Sequence, residues 1–484
     1  MSERFTFNPG RGPIAAPPVR TGAAAAAPPP PPEPAPERMR RTRERADWPF
    51  LFLLAFTANV FFRPQDAIPG LHYLHLAELC AVGGLIAHGT GRLSRNQPIT
   101  RITPELVGVC ALAMLIAALA PFSIWFGGAI GVFKDIYIKV VLIFLLMVNV
   151  LTTPRRIERL TWLLVIASGY IGFRAVVDYV RGANLVENGR VQGAVGGIFQ
   201  NPNDLALNMV AILPLAVFIA MRPGRPVRRA LAGLFALFMV GAIVASHSRS
   251  GTLGLVAMMA VLATFAIRER PGLVIGGVLA AALALPLLPS SYWARLSSIT
   301  DGSHDDTGSR EARETLLRES AWAFLENPIT GVGAGQFKNW NPQGREQPWR
   351  ESHDVFLQVA SELGIGGLLL FTFLIARAGL CVAQTRRLLR RARAATGGGR
   401  RPSLPAPRVD ADELALMEGH SAAMLASLAG WLVCALFASV AYNWTFYYLL
   451  ALAATPRDLL LDRLPARPPS ALRAGQTHFE VARA

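Results

Sequence analysis

Charged residues, and lysine in particular, are scarce in this sequence. Asp, Glu, Lys and Arg make up 17% of the 484 residues, whereas a soluble protein typically carries about 25%. Lysine occurs only at Lys134, Lys139 and Lys338, so nearly all of the basic residues are arginine. The formal net charge of +16 suggests a polyanionic partner, but the low charged fraction argues against a soluble nucleic-acid-binding protein, and we expect no nucleic acid among the partners.

Cysteine is also rare, and several nucleotide-binding motifs are missing. The four cysteines, Cys80, Cys110, Cys381 and Cys434, show no CxxC or Cys/His spacing, so the sequence indicates neither a disulfide framework nor a zinc site. We find no Walker A loop, no GxGxxG–strand unit and no DxD-like pair in the predicted cytoplasmic segments. These absences argue against an ATP-driven transporter and a cytosolic glycosyltransferase.

Apolar residues are abundant and fall into blocks of the length that crosses a bilayer. Hydrophobic residues make up 52% of the chain, and a helix of about 20 residues spans the hydrocarbon core. We therefore predict an all-α polytopic membrane protein with about twelve spans. The blocks cover 48–62, 71–90, 103–125, 130–152, 160–180, 202–221, 228–247, 250–267, 272–289, 354–382, 419–441 and 443–456.

The blocks define five regions and an orientation. We expect a disordered Pro/Arg-rich tail (1–46), spans 1–9 (47–289), a large loop (290–353), spans 10–12 (354–456) and a second tail (457–484). Most of the basic residues fall in the two tails and in alternate loops, so the positive-inside rule places both termini in the cytoplasm and the large loop outside. Within that loop, 309–326 has the spacing of an amphipathic helix, expected to lie against the membrane surface or to cap a cavity.

Two polar motifs lie on the predicted outer face before the large loop. In FQNPNDLALN, Asn201 suits a helix N-cap and Asp204 the first turn; capping alone explains the motif, and a functional role for Asn203 or Asp204 is the alternative. In SHSRSG, Arg249 lies between serines in a short turn. Snorkelling to the interface is the ordinary explanation, but we favour phosphate binding, because other short outer loops carry little positive charge.

The third motif, Ser352-His353-Asp354, precedes the tenth block. We expect Ser352 to be the N-cap, so that His353 lies in the first turn, where the helix dipole lowers the pKa of its imidazole and keeps it neutral. A lone histidine is more often structural, and its placement beside outward arginines favours function.

The loop helix and the fourth and fifth blocks contain further charges. Arg310 lies in the first turn of the loop helix, where a cation opposes the dipole. Arg313 and Arg318 are expected on a solvated face, paired with neighbouring glutamates. Four charges lie inside blocks, where functional sites and internal ion pairs are the two explanations: Lys134, Asp135, Lys139 and Arg174. An i,i+4 pair of Asp135 with Lys139 is one structural answer, and Arg174 could line a cavity for an anionic headgroup.

These motifs, in this order, resemble the O-antigen ligase superfamily of bacterial surface-glycan ligases and polymerases. The stretches that match are FQNPNDLALNMV, SHSRSG, SREARETLLRESAWAFLENPITGVGAGQF and SHDVFLQVASELGIGGLLLF. The resemblance implies a GT-C-like membrane glycosyltransferase that moves a glycan from undecaprenyl diphosphate to an acceptor hydroxyl on the periplasmic face. It implies that Arg190, or alternatively Arg181, binds the diphosphate together with Arg249 and Arg310.

The resemblance further implies that His353 serves catalysis. We expect Arg249 to contribute to catalysis as well, and Asn201, Asn203, Asp204 and Asp354 to support the site. This sequence reads HD after Ser352 where many relatives read HN. Asp354 therefore departs from the family pattern, and the resemblance assigns it no role. Because diphosphate is a good leaving group and arginines can stabilise its charge, we expect an inverting reaction with no metal and no cofactor.

Several functions share these motifs. The leading hypothesis is a ligase in the bacterial inner membrane, with a lipid-linked glycan donor, membrane lipids and a glycolipid, glycan or protein acceptor as partners. A polymerase of O-antigen or exopolysaccharide repeat units and a ligase for protein O-glycosylation are alternatives within the superfamily. A polysaccharide transporter or flippase ranks lower, because it predicts charges lining both faces.

Overall fold

The computed structural model describes residues 47–186, 189–269, 271–284, 286, 292–293, 309–396 and 405–465. The predicted disordered tail 1–46, residues 466–484 of the predicted C-terminal tail and most of residues 290–308 at the beginning of the large loop therefore lie outside the described residues. The described residues all belong to the unit that begins at Asp47.

The described structure is 77% helical with almost no strands, which confirms the all-α prediction. One antiparallel pair of two-residue strands, β1 (Leu185–Val186) and β2 (Arg190–Val191), interrupts the helices. In chain order the helices are α1 (Trp48–Phe62), α2 (Pro64–Ala67), α3 (Leu76–Leu93), α4 (Pro104–Leu119), α5 (Phe126–Gly131), α6 (Ile138–Val150), α7 (Pro154–Arg181), α8 (Pro202–Met221), α9 (Pro226–Ala245), α10 (Arg249–Glu269), α11 (Pro271–Ala284), α12 (Ser309–Glu326), α13 (Val355–Thr396), α14 (Ala411–Ala435) and α15 (Trp444–Asp462).

Six helices in the described part are long and apolar enough to cross a membrane. They are Pro104–Phe122, Pro154–Arg181, Pro202–Met221, Pro226–Ala245, Arg249–Ile267 and Val355–Ala395. The apolar helix α1 is shorter. The chain is thus a multi-pass helical membrane protein, while the count of twelve spans and the sidedness of the large loop stay predictions.

Sequence signals at the helix starts explain where several spans begin. Proline occupies the first position of α4, α7 and α8, where its missing N–H costs no hydrogen bond. The preceding residues, Thr103, Thr153 and Asn201, each accept a backbone N–H with their side-chain oxygen. Helix α8 is the most buried of the three, with fourteen of its twenty residues buried.

Helix α13 is bent at Gly364, and a glycine-rich loop fills the bend. Gly364 has φ +64° and ψ −164°, a conformation that is essentially restricted to glycine. The GVGAG segment after α12 packs there: the N–H of Val332 donates to the carbonyl of Ser361 (2.8 Å) and that of Ile365 to Pro328 (2.8 Å). Gly331, Gly333 and Gly335 of this segment all have positive φ, so the glycine spacing serves this packing.

Several charged groups within the apolar helices have a partner on the same or a neighbouring helix. The Nζ atom of Lys139 lies 2.6 Å from Oε1 of Glu78 in α3, so the expected pairing of Lys139 with Asp135 is wrong: the neighbouring helix offers a closer carboxylate. Nη1 of Arg174 donates to the hydroxyl of Tyr170 at 3.5 Å. The fully buried Glu105 accepts hydrogen bonds from Arg377 and Arg457 and thereby joins α4, α13 and α15.

Candidate functional site

The first motif is the start of α8. The side chain of Asn201 accepts the N–H of Asn203 at 2.8 Å, which confirms the predicted N-cap, and Pro202 and Asp204 occupy the first turn as expected. Capping accounts for Asn201 and Pro202, but it leaves the Asn203 side chain available for another contact.

Arg190 provides that contact. Its Nη2 donates to Oδ1 of Asn203 (2.8 Å), and its Nε donates to the carbonyl of Ser246 (3.1 Å). Oγ of Ser248 donates to the same Asn203 oxygen at 2.9 Å. One guanidinium therefore joins the β-hairpin, the start of α8 and the SHSRSG turn, which are distant in sequence.

The SHSRSG turn is the tight connection from α9 to α10. Ser246, His247 and Ser248 are buried, and the Ser248 hydroxyl accepts the N–H of Gly251 at 3.1 Å, so that it caps α10. Arg249 follows as the half-buried first residue of α10. The positive end of the helix dipole opposes a cation at this position, and an anionic ligand would relieve the conflict.

The structure corrects the expectation for the third motif. Oδ1 of Asp354 accepts the N–H groups of Phe356 (2.9 Å) and Leu357 (2.8 Å), so Asp354 is the N-cap of α13 and Ser352 is not. The Ser352 hydroxyl instead lies 3.1 Å from Oγ of Ser439. His353 precedes the cap with φ +53° and does not lie in the first turn.

The environment of His353 nevertheless lowers the pKa of its imidazole, to about 4. Burial is the main cause, and the charges of Arg313 and Arg350 add to it. The imidazole is therefore neutral at pH 7 and can accept a proton. Arg313 is half-buried and its charge lowers the pKa of His353, so its expected place on a solvated face is wrong. Arg318 is exposed and pairs with Glu314 as predicted.

The C-terminal end of α14 connects the second and third motifs. Sγ of Cys434 donates to the carbonyl of Ser250 at 3.3 Å, and a few residues later Oγ of Ser439 accepts the N–H of His353 at 3.0 Å. The carboxylate of Glu351 is close enough to Asp204 for their charges to repel. The three motifs therefore gather at one end of the helix bundle.

The contacts of the described side chains do not include two of the candidate residues, Arg181 and Arg310. Arg181 is exposed at the end of α7, and Arg310 lies in the first turn of α12, with its side chain outside the described residues. Of the two alternatives for a basic residue before α8, Arg190 is the one that contacts the other motifs.

A buried ion pair that the motifs do not reveal supports the His353 segment. Nε of Arg345 lies 3.2 Å from Oε2 of Glu319, and both side chains are almost completely buried. Oε1 of Glu319 accepts the N–H groups of Glu346 and Gln347. The sequence holds one signal for this pair: Glu319 lies on the same face of α12 as the buried Leu316 and Ala323, and a carboxylate there needs a buried partner.

These features define a class: a multi-pass helical membrane protein that assembles buried polar motifs and a neutral histidine at one end of its bundle. Within it, residues 234–372 match a protein-family model described as O-Antigen ligase, which confirms the resemblance to that superfamily. The match covers Arg249, Arg310 and His353, whereas Arg190 and the start of α8 precede it. Among curated proteins, none matches the chain.

Proposed function

We propose that this protein is a membrane glycosyltransferase of the O-antigen ligase type. It transfers a glycan from undecaprenyl diphosphate to an acceptor hydroxyl on the periplasmic face of the bacterial inner membrane. The observation that best supports this proposal is the hydrogen-bonded assembly of Arg190, Asn203 and Ser248 next to Arg249, within and beside the matched domain. It gives positive charge a fixed position at the end of the bundle that also carries His353.

The arginines would bind the diphosphate of the donor. A guanidinium offers two parallel N–H donors to phosphate oxygens and stays charged at every physiological pH. Arg249 is the main candidate, and Arg190 holds the turn that presents it while adding its own charge. Arg310 is a further candidate for binding the donor, and Arg181 is the alternative to Arg190. The same charges stabilise the leaving diphosphate, which is why the proposed reaction needs no metal.

His353 would act as the general base. Its unprotonated nitrogen takes the proton of the acceptor hydroxyl while that oxygen attacks the anomeric carbon. The bond from the anomeric carbon to the diphosphate oxygen breaks, and its electron pair leaves with undecaprenyl diphosphate. A single displacement of this kind inverts the anomeric configuration. Asn201, Asn203, Asp204 and Asp354 support the site by fixing the starts of α8 and α13.

Substitution of the two central residues tests the proposal. We expect Arg249→Ala and His353→Ala each to lower the rate of glycan transfer by purified protein at least a hundredfold, while both variants still insert into the membrane. Arg318→Ala, on the exposed face of α12, is the matched control and should transfer normally. Wild-type rates in either of the first two variants would refute the assignment.

The acceptor separates a ligase from a polymerase, and a gene deletion identifies it. Loss of a ligase leaves full-length lipid-linked polymer without its acceptor, whereas loss of a polymerase leaves single lipid-linked repeat units. Analysis of surface glycolipids and undecaprenyl-linked intermediates in the deletion strain distinguishes these outcomes. We expect unattached polymer. Single repeat units would favour the polymerase, and glycan missing from a protein would favour O-glycosylation.

A further inference from the structure

A cavity of about 520 Å³ lies at the other end of the helices that carry the candidate site. Phe218 and Ile219, near the end of α8, line it, whereas Asn203 lies at the beginning of the same helix. Twenty residues of α-helix measure about 30 Å, so the cavity and the candidate site lie at opposite membrane interfaces. Pro154, at the start of α7, and the connection from α8 to α9 also line the cavity, which places it at this end of the bundle.

The wall of the cavity carries an excess of positive charge. Its basic lining residues come from the α8–α9 connection and the first turn of α9: Arg222, Arg225, Arg228 and Arg229. Glu158 is the single acidic residue among the described lining residues. It lies 3.6 Å from Arg222 and 3.7 Å from Arg228, so two of the four guanidinium groups share the one carboxylate.

The same cavity has an apolar side. Phe218, Leu416 and Met417 line it next to the arginines, and the guanidinium of Arg228 lies over the ring of Trp162 at 5.7 Å. The adjoining surface of α9 is also apolar, with Val227, Leu231 and Leu234 all exposed, Val227 the most at 67%. Charge and apolar surface therefore meet in one concave site, as an amphiphile with an anionic head requires.

We propose that this cavity binds the phosphate headgroup of an anionic membrane phospholipid, with the acyl chains lying along α9. Clustered arginines provide bidentate donors for a phosphate, and basic pockets between helices at a cytoplasmic interface suit anionic headgroups. Arginines that served only to orient the chain would not need to surround a concave site with an apolar side. This site is separate from the proposed glycosyl-transfer site and holds whether or not that proposal does.

Lipid binding to the purified full-length protein tests the proposal. We would titrate detergent-solubilised protein with phosphatidylglycerol or phosphatidylcholine and count bound lipids by native mass spectrometry. The cavity variant is Arg225→Gln/Arg228→Gln. The matched control, Arg387→Gln/Arg390→Gln, removes the same charge from exposed positions of α13 that do not line the cavity. We expect the cavity variant to bind phosphatidylglycerol at least tenfold more weakly than the wild type, and the control less than twofold more weakly.

Four results would overturn the proposal. Equal affinity of the wild type and the cavity variant would show that the arginines bind no lipid. An equal loss in the control would reduce the effect to the general surface charge. Equal binding of phosphatidylcholine would remove the requirement for an anionic head. Complete displacement of phosphatidylglycerol by millimolar inorganic phosphate would identify the ligand as a soluble phosphate.

Discussion

At the scale of single residues, His353 combines burial with the charges of Arg313 and Arg350, which lower the pKa of its imidazole to about 4. The sequence predicts the direction of this pKa shift but attributes it to the helix dipole. Burial and the charge of Arg313, which is distant in sequence, carry no local signal. A helix dipole would act on a residue in the first turn, whereas burial of the imidazole and the charges of Arg313 in α12 and Arg350 in the loop lower this pKa.

This pKa predicts the pH dependence of glycan transfer. The neutral imidazole is the active form, and protonation inactivates it. We therefore expect kcat/KM to be flat from about pH 6 to 8 and to fall at lower pH with a midpoint near 4. Binding of the anionic donor favours imidazolium, so kcat should fall at a higher pH than kcat/KM. Arg313→Gln should raise the kcat/KM midpoint, and Arg318→Gln should not. A wild-type kcat/KM midpoint near 6.5 would contradict this account.

Substitution of Arg190 and substitution of Arg181 should affect the rate of glycan transfer differently. Arg190→Lys keeps the charge but loses the two directed contacts with Asn203 and Ser246, so we expect transfer to fall about tenfold to a hundredfold. Arg181→Lys alters only an exposed helix end and should transfer normally. Assays of both purified variants against the same donor and acceptor decide the question; the reverse order of effects would move the proposed diphosphate site to Arg181.

At the scale of elements, the bend of α13 depends on one glycine. A Cβ atom on Gly364 would lie 2.4 Å from the carbonyl oxygen of Ile329, and its backbone conformation costs other residues about 1–3 kcal/mol. Gly364→Ala should therefore lower the thermal unfolding temperature in detergent. Gly379→Ala, in the same helix with open space around it, should keep or raise it. Equal unfolding temperatures for Gly364→Ala and the wild type would show that the bend carries no such constraint.

The loop before His353 depends on the Glu319–Arg345 pair. Glu319→Gln leaves a buried guanidinium without its counter-charge, a loss of roughly 3–5 kcal/mol, and should expose the 341–353 segment to trypsin. Glu314→Gln removes an exposed pair with Arg318, worth about 0–1 kcal/mol, and should leave cleavage unchanged. Equal digestion rates of the two variants would show that the pair does not hold the loop.

The sequence predicted elements better than contacts. Proline and a capping residue mark the start of α8, and apolar length marks six spans, because these signals are local. Ser352 and Asp354 both suit the N-cap of α13, and the sequence does not show that the Ser352 hydroxyl instead contacts Ser439 and the carbonyl of Asp354. Arg345 carried no local signal, since its partner lies 26 residues away in α12.

At the scale of the whole molecule, the charge distribution predicts sidedness. In the predicted orientation, the α8–α9 connection faces the cytoplasm and the loop after α12 faces the periplasm. We expect a membrane-impermeant maleimide to label Gln343→Cys in intact spheroplasts and to label Gly224→Cys only after permeabilisation. Both positions are exposed, and the four native cysteines are buried or half-buried. The opposite labelling pattern would show that the predicted orientation is reversed and that the proposed site faces the cytoplasm.

The most direct test of the central claim is the product balance of the wild-type protein in liposomes with a lipid-linked glycan and its acceptor on the same side. The account predicts one undecaprenyl diphosphate released for each glycan joined to the acceptor, with the anomeric configuration inverted. Movement of intact lipid-linked glycan across the bilayer with no release of undecaprenyl diphosphate would contradict it and identify a flippase instead.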